Sequence, residues 1–141
     1  MSGHVPLAVL FDLDGTLIDT APEFVAIGLR LRQAAGLPAV APEAIRSRVS
    51  DGAIGMVAAA LEIETADPTF EQWRKRFLTD YEKGLGQHSE PYPGLRALVS
   101  ALGVSGIKWG VVTNKLSRFA HPLMEKMDFN PPADIVITPD D

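Results

Sequence analysis

Short apolar runs alternate with segments of helical periodicity along this chain. Three runs are continuous and too short for buried helices, which predicts buried strands at residues 5–11, 109–113 and 135–138. Before the second strand, helical spacing from Leu95 to a stop at Gly103 predicts a helix. Between the second and third strands, Ser117 is placed to cap another helix. Strands and helices in this order predict an α/β fold with a parallel sheet.

A long segment after the first strand is predicted to be helical throughout. A capping box opens its first helix, with Thr20 as the N-cap and Glu23 reaching back to it. Further helices are predicted at residues 42–49, 53–61 and 68–85. Two prolines and a glycine at residues 91–94 mark a boundary. The predicted units are therefore residues 1–20 with 89–141, and residues 21–88.

Two carboxylates, Asp12 and Asp14, stand where the first strand should end, and Gly15 permits a sharp turn after them. In an extended segment, residues two apart point the same way, so both carboxylates would face one site. Two anions so close favour a divalent cation, and their oxygen ligands suit Mg²⁺. They also suggest a division of labour between a nucleophile and a proton carrier.

A surface turn and a calcium loop are the alternatives for this acidic pair. A surface turn explains two aspartates beside a glycine without any chemistry. A calcium loop requires more acidic positions before the glycine and a helix in front, and neither is present. The buried strand that precedes Asp12 favours the functional interpretation.

A second polar pair, Thr113 and Asn114, follows the predicted strand at residues 109–113. The carboxyl ends of parallel strands lie at one edge of the sheet, where ligands bind. We therefore expect this pair to meet Asp12 and Asp14 although about 100 residues separate them. A hydroxyl with free backbone N–H groups at a strand end suits a phosphate oxyanion.

Composition excludes several classes of function. The net charge of −5 argues against a nucleic-acid binder, which normally presents a basic face. The chain has no cysteine, which excludes disulfides, thiol catalysis and thiolate metal sites. It has no apolar run of membrane-spanning length and no signal-like N-terminus, so a cytoplasmic location and no membrane partner are expected.

The stretch FDLDGT at residues 11–16, with Leu17, Ile18 and Asp19 after it, resembles the first motif of the haloacid dehalogenase (HAD) superfamily of phosphohydrolases. The stretch VVTNK at residues 111–115 resembles the second motif as found in its phosphoglycolate phosphatase branch. The resemblance implies a Rossmann-like core formed by residues 1–20 and 89–141, incomplete at its C-terminus. It also implies that residues 21–88 are the family's inserted all-helical C1 cap.

The same resemblance implies a Mg²⁺-dependent phosphatase. Asp12 would attack phosphorus and form an aspartyl-phosphate, while Asp14 would protonate the leaving oxygen and later activate water. Mg²⁺ would contact the Asp12 carboxylate and the Asp14 backbone carbonyl. Thr113 and Asn114 would hold the phosphoryl group, and Thr16 would support the first loop. Lys115 is not the family's catalytic lysine, and a solvated or substrate-edge position is expected for it.

The substrate implied is a small phosphorylated metabolite. The cap loop at residues 49–53 resembles that of phosphoglycolate phosphatases, which implies phosphoglycolate. The cap and the helix after the second motif are also similar to those of N-acetylmuramic acid 6-phosphate phosphatases, so that compound or another sugar phosphate is an alternative. A phosphoglucomutase shares both motifs and is a weaker alternative.

The chain ends before the family's third and fourth motifs, which supply a lysine and an acidic pair. We therefore expect a truncated product, and a phosphate-binding fragment without turnover is an alternative function. Truncation would leave the strand at residues 5–11 as an exposed apolar edge, through which the chain would self-associate.

Overall fold

The computed structural model describes residues 3–141, which divide into two compact units. One unit comprises the described residues up to Asp19 together with Glu90–Asp141, and the other is Thr20–Ser89. The strands are β1 (Ala8–Phe11), β2 (Ile18–Asp19), β3 (Glu90–Pro91), β4 (Lys108–Val112) and β5 (Ile135–Ile137). The helices are α1 (Ala21–Ala34), α2 (Glu43–Arg46), α3 (Gly52–Leu61), α4 (Phe70–Lys83), α5 (Leu95–Val104) and α6 (Ser117–Met127), with a 3-10 turn at Val49–Asp51.

The first unit is built on a parallel three-stranded sheet in the order β1, β4, β5. The predicted α/β class with a parallel sheet is confirmed. Helix α5 precedes β4, and α6 joins β4 to β5. In this register Phe11 lies opposite Val111, and Val112 lies opposite Ile137. The carboxyl ends of all three strands therefore lie at the same edge.

Strand β4 carries the aromatic centre of this unit. Trp109 is 1% exposed and makes edge-on ring contacts with Phe11 at 6.0 Å and Phe129 at 5.4 Å between centroids. Its indole N–H donates to the Pro131 carbonyl at 3.1 Å, so the polar end of the ring is also satisfied. These contacts hold the middle strand against both flanking segments.

Strand β1 differs from its prediction. It begins at Ala8 rather than at residue 5, and it is an edge of the sheet in the described part of the chain. Leu10 is 58% exposed and Leu7 91% exposed. The prediction of a fully buried strand is therefore wrong, whereas the expectation of an apolar edge agrees with this geometry.

The predicted stop of α5 at Gly103 is also wrong. The helix continues to Val104, and the left-handed glycine that follows it is Gly106, with φ of 70°. A Cβ at Gly103 would lie 2.8 Å from the Pro131 Cγ atom. Gly103 is thus required for close packing and not for ending the helix. The helix predicted at residues 42–49 is shorter than expected, because only α2 and the 3-10 turn form there.

The second unit is helical throughout, as predicted, and α1 packs on α3 and α4. Phe24 of α1 stacks on Phe77 of α4 at 5.9 Å between centroids and makes a tilted ring contact with Tyr81 at 4.9 Å. Its limits, Thr20 and Ser89, lie one residue outside the predicted segment at each end. Across residues 3–141, no helix is long and apolar enough to cross a membrane.

The predicted capping box at the start of α1 is wrong. The Thr20 side chain makes no cap hydrogen bond within the described residues. Glu23 is 2% exposed, and its carboxylate accepts hydrogen bonds from the Gln87 backbone N–H at 3.0 Å and the Ser89 hydroxyl at 2.5 Å. The side chain therefore joins the two ends of the helical unit instead of closing its own helix turn.

Candidate active site

The chain turns sharply directly after β1. Two N–H groups, of Leu17 and Ile18, both donate to the Leu13 carbonyl at 3.1 Å, and Gly15 adopts a left-handed φ of 76°. The strand itself ends at Phe11, Asp14 forms an isolated bridge with Ile18, and the turn expected at Gly15 is present. This tight loop presents the acidic pair at the end of the strand.

The two candidate carboxylates, Asp12 and Asp14, lie on either side of the buried residue Leu13 in the sequence. Leu13 is fully buried, whereas Asp12 is exposed and Asp14 is intermediate in exposure. One oxygen of Asp12, Oδ1, accepts the Leu13 backbone N–H at 2.7 Å, which fixes the plane of the carboxylate. The hydrophobic burial of Leu13 thus holds both acidic residues at the loop surface.

The loop after β4 lies at the same edge of the sheet. Thr113 continues the pairing with β5, because its N–H donates to the Ile137 carbonyl at 3.0 Å. Since Phe11 lies opposite Val111, Asp12 and Thr113 follow neighbouring strands within about one residue of each other in register. This is the convergence that the sequence predicts.

Thr113 is 7% exposed, and its hydroxyl oxygen accepts the Lys115 N–H at 3.0 Å. A hydroxyl also carries one donor hydrogen, which suits an anion at this strand end. Asn114, which lies between Thr113 and Lys115 in the sequence, is exposed. The turn therefore offers a hydroxyl hydrogen and an exposed side-chain amide as hydrogen-bond donors.

Lys115 makes a direct bridge between the two loops. Its Nζ atom lies 3.0 Å from the Asp14 Oδ1 atom, and its side chain is only 7% exposed. Of the two positions expected for Lys115, the solvated one is wrong, because the side chain folds back onto the acidic loop, and the substrate-edge position stays a prediction. The sequence signal was its place as the last residue of the second motif, which brings it to the same strand end as Thr113.

Thr16 occupies the outer side of the first loop. Thr16 is exposed to solvent, and its backbone N–H donates to the Leu13 carbonyl at 3.4 Å. The backbone therefore takes part in the turn. A role of Thr16 in phosphate binding stays a prediction.

Asp140 is a further residue of this edge that sequence reasoning missed. The Ser117 N–H donates to its Oδ1 atom at 2.9 Å, and the Ser117 hydroxyl donates to its Oδ2 atom at 2.5 Å. Ser117 is the first residue of α6 and not its N-cap, so the cap predicted for it is wrong and Asp140 takes that role. These hydrogen bonds lower the pKa of Asp140 from 3.8 to about 2.

We expect Asp140→Asn to reduce the pH dependence of stability in acid. The pKa of Asp140 is lower in the folded chain, so its contribution is complete above about pH 3.8 and is lost as the pH falls through about 2. The wild-type urea midpoint should therefore fall more steeply between pH 4 and 2 than that of the variant. Glu125→Gln, an exposed carboxylate on α6, is the control. Equal slopes for wild type and Asp140→Asn would contradict the prediction.

The carboxylate oxygens of Asp12 and Asp14 are ligands of the chemical type that Mg²⁺ prefers. Asp12 and Asp14 offer hard oxygen ligands, and Mg²⁺ is commonly held by one or two carboxylates with water and substrate phosphate completing its shell. In the part of the chain that the structure describes, no cluster of three or more His, Cys, Asp or Glu side chains could hold a metal ion. The described site thus offers two carboxylates, and water and substrate phosphate would have to supply the remaining ligands of a magnesium ion.

Comparison with known proteins gives consistent results. Residues 9–141 match the family model of haloacid dehalogenase-like hydrolases. The N-acetylmuramic acid 6-phosphate phosphatase of Pseudomonas aeruginosa is 44% identical over 133 residues, which cover 94% of this chain and 59% of that protein. The phosphoglycolate phosphatase of Chromobacterium violaceum is 36% identical over 124 residues, 85% of this chain and 56% of that protein. The chain thus spans less than two thirds of the length of these relatives.

The fold is shared with solved structures. The crystal structure of a predicted phosphoglycolate phosphatase from Haemophilus somnus superimposes with a TM-score of 0.78 at 22% identity. The superposition covers 96% of this chain and 64% of that one. With the family match over nearly the whole sequence, these similarities show that the chain belongs to the haloacid dehalogenase-like hydrolases.

Proposed function

We propose that the protein is a Mg²⁺-dependent phosphomonoester hydrolase that works through an aspartyl-phosphate. The observation that carries the proposal is the meeting of the two loops, in which Lys115 from the β4 end bonds Asp14 from the β1 end at 3.0 Å. This contact supports a site at one edge of the sheet in which Asp12 would be the nucleophile, Asp14 the proton carrier, and Thr113 and Asn114 the phosphate donors. Family membership and the names of the relatives support the same reaction class.

In the first half-reaction, a carboxylate oxygen of Asp12 attacks phosphorus. The bond from phosphorus to the leaving oxygen breaks, and Asp14 donates its proton to that oxygen. In the second half, Asp14 takes a proton from water, whose oxygen attacks phosphorus and releases Asp12. Donors at Thr113 and Asn114 orient the phosphoryl oxygens, and Thr16 supports the first loop. When bound at Asp12 and the Asp14 backbone carbonyl, Mg²⁺ supplies charge stabilisation to the phosphoryl group.

The division into a catalytic core and a cap is part of this proposal. The core would comprise residues 1–20 and 89–141, and the cap residues 21–88, close to the two units that the contacts define. The cap would select among small phosphorylated metabolites. Binding to nucleic acid or membranes is not proposed, and the cytoplasmic location stays a prediction.

Two substrates follow from the relatives. The sequence motifs favour phosphoglycolate, whereas the higher identity, 44% against 36%, favours N-acetylmuramic acid 6-phosphate. We propose the sugar phosphate as the first substrate to test and phosphoglycolate as the second. The two differ in size, so the helical unit would decide between them.

Phosphate release is the test of this function. This chain and a version extended to the length of its relatives are assayed with both substrates, with Mg²⁺ and with EDTA. Mg²⁺-dependent release supports the proposal, and product analysis separates hydrolysis from an isomerisation. Phosphate binding without release by either version would support the alternative of a non-catalytic phosphate-binding protein. Neither binding nor release would reject both.

We also propose that the chain self-associates through the apolar edge at β1. Leu10 is 58% exposed there, on a strand that is an edge of the sheet within residues 3–141, and such edges can pair with another chain. Sedimentation should show dimers or larger species that Leu10→Lys shifts toward monomer. Val104→Lys is the control, since Val104 is 88% exposed but lies at the end of α5. A compact, stable wild-type monomer would contradict this proposal.

A further inference from the structure

The Lys115 ammonium is enclosed within the candidate site. Its side chain is 7% exposed, and the Asp14 carboxylate that it contacts is 34% exposed. A buried ammonium is costly unless an anion accompanies it. Asp14 therefore determines where the lysine side chain lies, and the lysine in turn holds Asp14.

Lys115 is fixed at its backbone as well as at its side chain. Its N–H donates to the Thr113 hydroxyl oxygen at 3.0 Å, while its Nζ atom lies 3.0 Å from Asp14. One residue thus ties the proposed phosphate-binding threonine to the proposed proton carrier. The distance between these two groups depends on this lysine.

Charge gives Lys115 a second role at the same place. The attacking Asp12 carboxylate is negatively charged, and a phosphomonoester brings up to two more negative charges to the same edge of the sheet. Lys115 adds one positive charge in surroundings where burial weakens solvent screening. Its ammonium therefore lowers the repulsion that an incoming phosphate meets.

We propose that Lys115 is the positioning residue of this site. It holds the Asp14 carboxylate beside the place of the leaving oxygen, and its charge offsets part of the repulsion on phosphate binding. This role rests on the proposed phosphatase function and is distinct from that of the family's catalytic lysine, which follows a later strand. Arginine at position 115 should fulfil it in part, and an uncharged residue should not.

The first test measures binding and does not depend on turnover. Inorganic phosphate is titrated by calorimetry into this chain with Mg²⁺ present. Lys115→Met should weaken phosphate binding by about 10- to 100-fold, the effect of losing an interaction with a charged group. Lys115→Arg should retain most of the affinity. Lys108→Met is the matched control, because Lys108 is 75% exposed and pairs with Asp134 at 3.6 Å.

The second test measures coupling to Asp14. Lys115→Met should lower kcat, and the double variant with Asp14→Asn should lose little more than Asp14→Asn alone, because the lysine acts through that carboxylate. Thermal melting confirms that each variant is folded. Additive losses in the double variant would overturn the positioning role.

The outcomes separate this inference from the proposed function. If wild type binds and hydrolyses while Lys115→Met does both equally well, the role of Lys115 is rejected and the phosphatase proposal stands. If wild type neither binds phosphate nor hydrolyses either substrate, in both chain lengths, the phosphatase proposal fails and the role of Lys115 with it. A selective loss in Lys115→Met with recovery in Lys115→Arg supports both.

Discussion

Asp12→Asn should abolish phosphate release, with a fall in kcat on the order of 10³-fold or more, because an amide oxygen is a far poorer nucleophile than a carboxylate. Asparagine has nearly the same shape, and its side-chain oxygen can still accept the Leu13 N–H that Asp12 accepts at 2.7 Å. The loop should therefore keep its conformation. Mg²⁺-dependent release of phosphate, followed with a colorimetric reagent, measures the loss.

The same variant distinguishes a catalyst from a binder. Without Mg²⁺, for which Asp12 is a proposed ligand, loss of one negative charge should leave inorganic phosphate binding intact or stronger, so a protein that only binds phosphate would tolerate Asp12→Asn. Asp128→Asn is the control, since Asp128 is exposed and its left-handed φ of 50° is compatible with asparagine. Turnover retained in Asp12→Asn would exclude Asp12 as the nucleophile.

Glu23→Ala should lower the free energy of unfolding of the helical unit by about 3 kcal/mol, since hydrogen bonds to charged groups contribute about 1.5–3 kcal/mol each. The substitution leaves the Gln87 N–H and the Ser89 hydroxyl without the carboxylate that they share. Amide hydrogen exchange at Gln87 should accelerate before the rest of the unit opens. Urea denaturation and exchange measured residue by residue test both statements.

Glu23→Gln should have an intermediate effect, because a glutamine keeps one acceptor oxygen and its amide can donate to the Ser89 hydroxyl. Glu82→Ala, an exposed position of α4, should change stability by no more than about 0.5 kcal/mol. An equal, small effect of Glu23→Ala and Glu82→Ala would show that the buried carboxylate does not hold the two ends together.

Local patterns were sufficient to predict most of the fold. Strands β1 and β5 lie within predicted apolar runs, and β4 begins one residue before its predicted run, at Lys108. The helices of residues 20–89 follow from apolar periodicity, which is a property of neighbouring positions in the sequence. The convergence of Asp12 with Thr113 was also predictable, because parallel strands place their carboxyl ends at one edge. These features depend on short-range order and on general rules of sheet topology.

The side-chain partners that join distant segments were not predictable in this way. Glu23 had an acceptable local role as a capping residue, yet its carboxylate bonds groups more than 60 residues away. Lys115 and Asp140 likewise find their partners across the sheet edge, in Asp14 and Ser117. A charged residue within a sequence pattern is compatible with solvent or with burial, and only the packed fold determines which partner meets it.

The short ribbon of β2 and β3 has a consequence for how this chain can vary. Ile18 lies opposite Pro91 and Asp19 opposite Glu90 in one antiparallel pair. The 70 residues of the helical unit, Thr20–Ser89, therefore connect two paired positions, Asp19 and Glu90. In topology the helical unit is the enlarged tip of a hairpin. Closing such a tip costs only about 0.6 kcal/mol more for each doubling of its length. Helices can therefore be lengthened, shortened or exchanged there without rethreading the strands that carry Asp12 and Thr113.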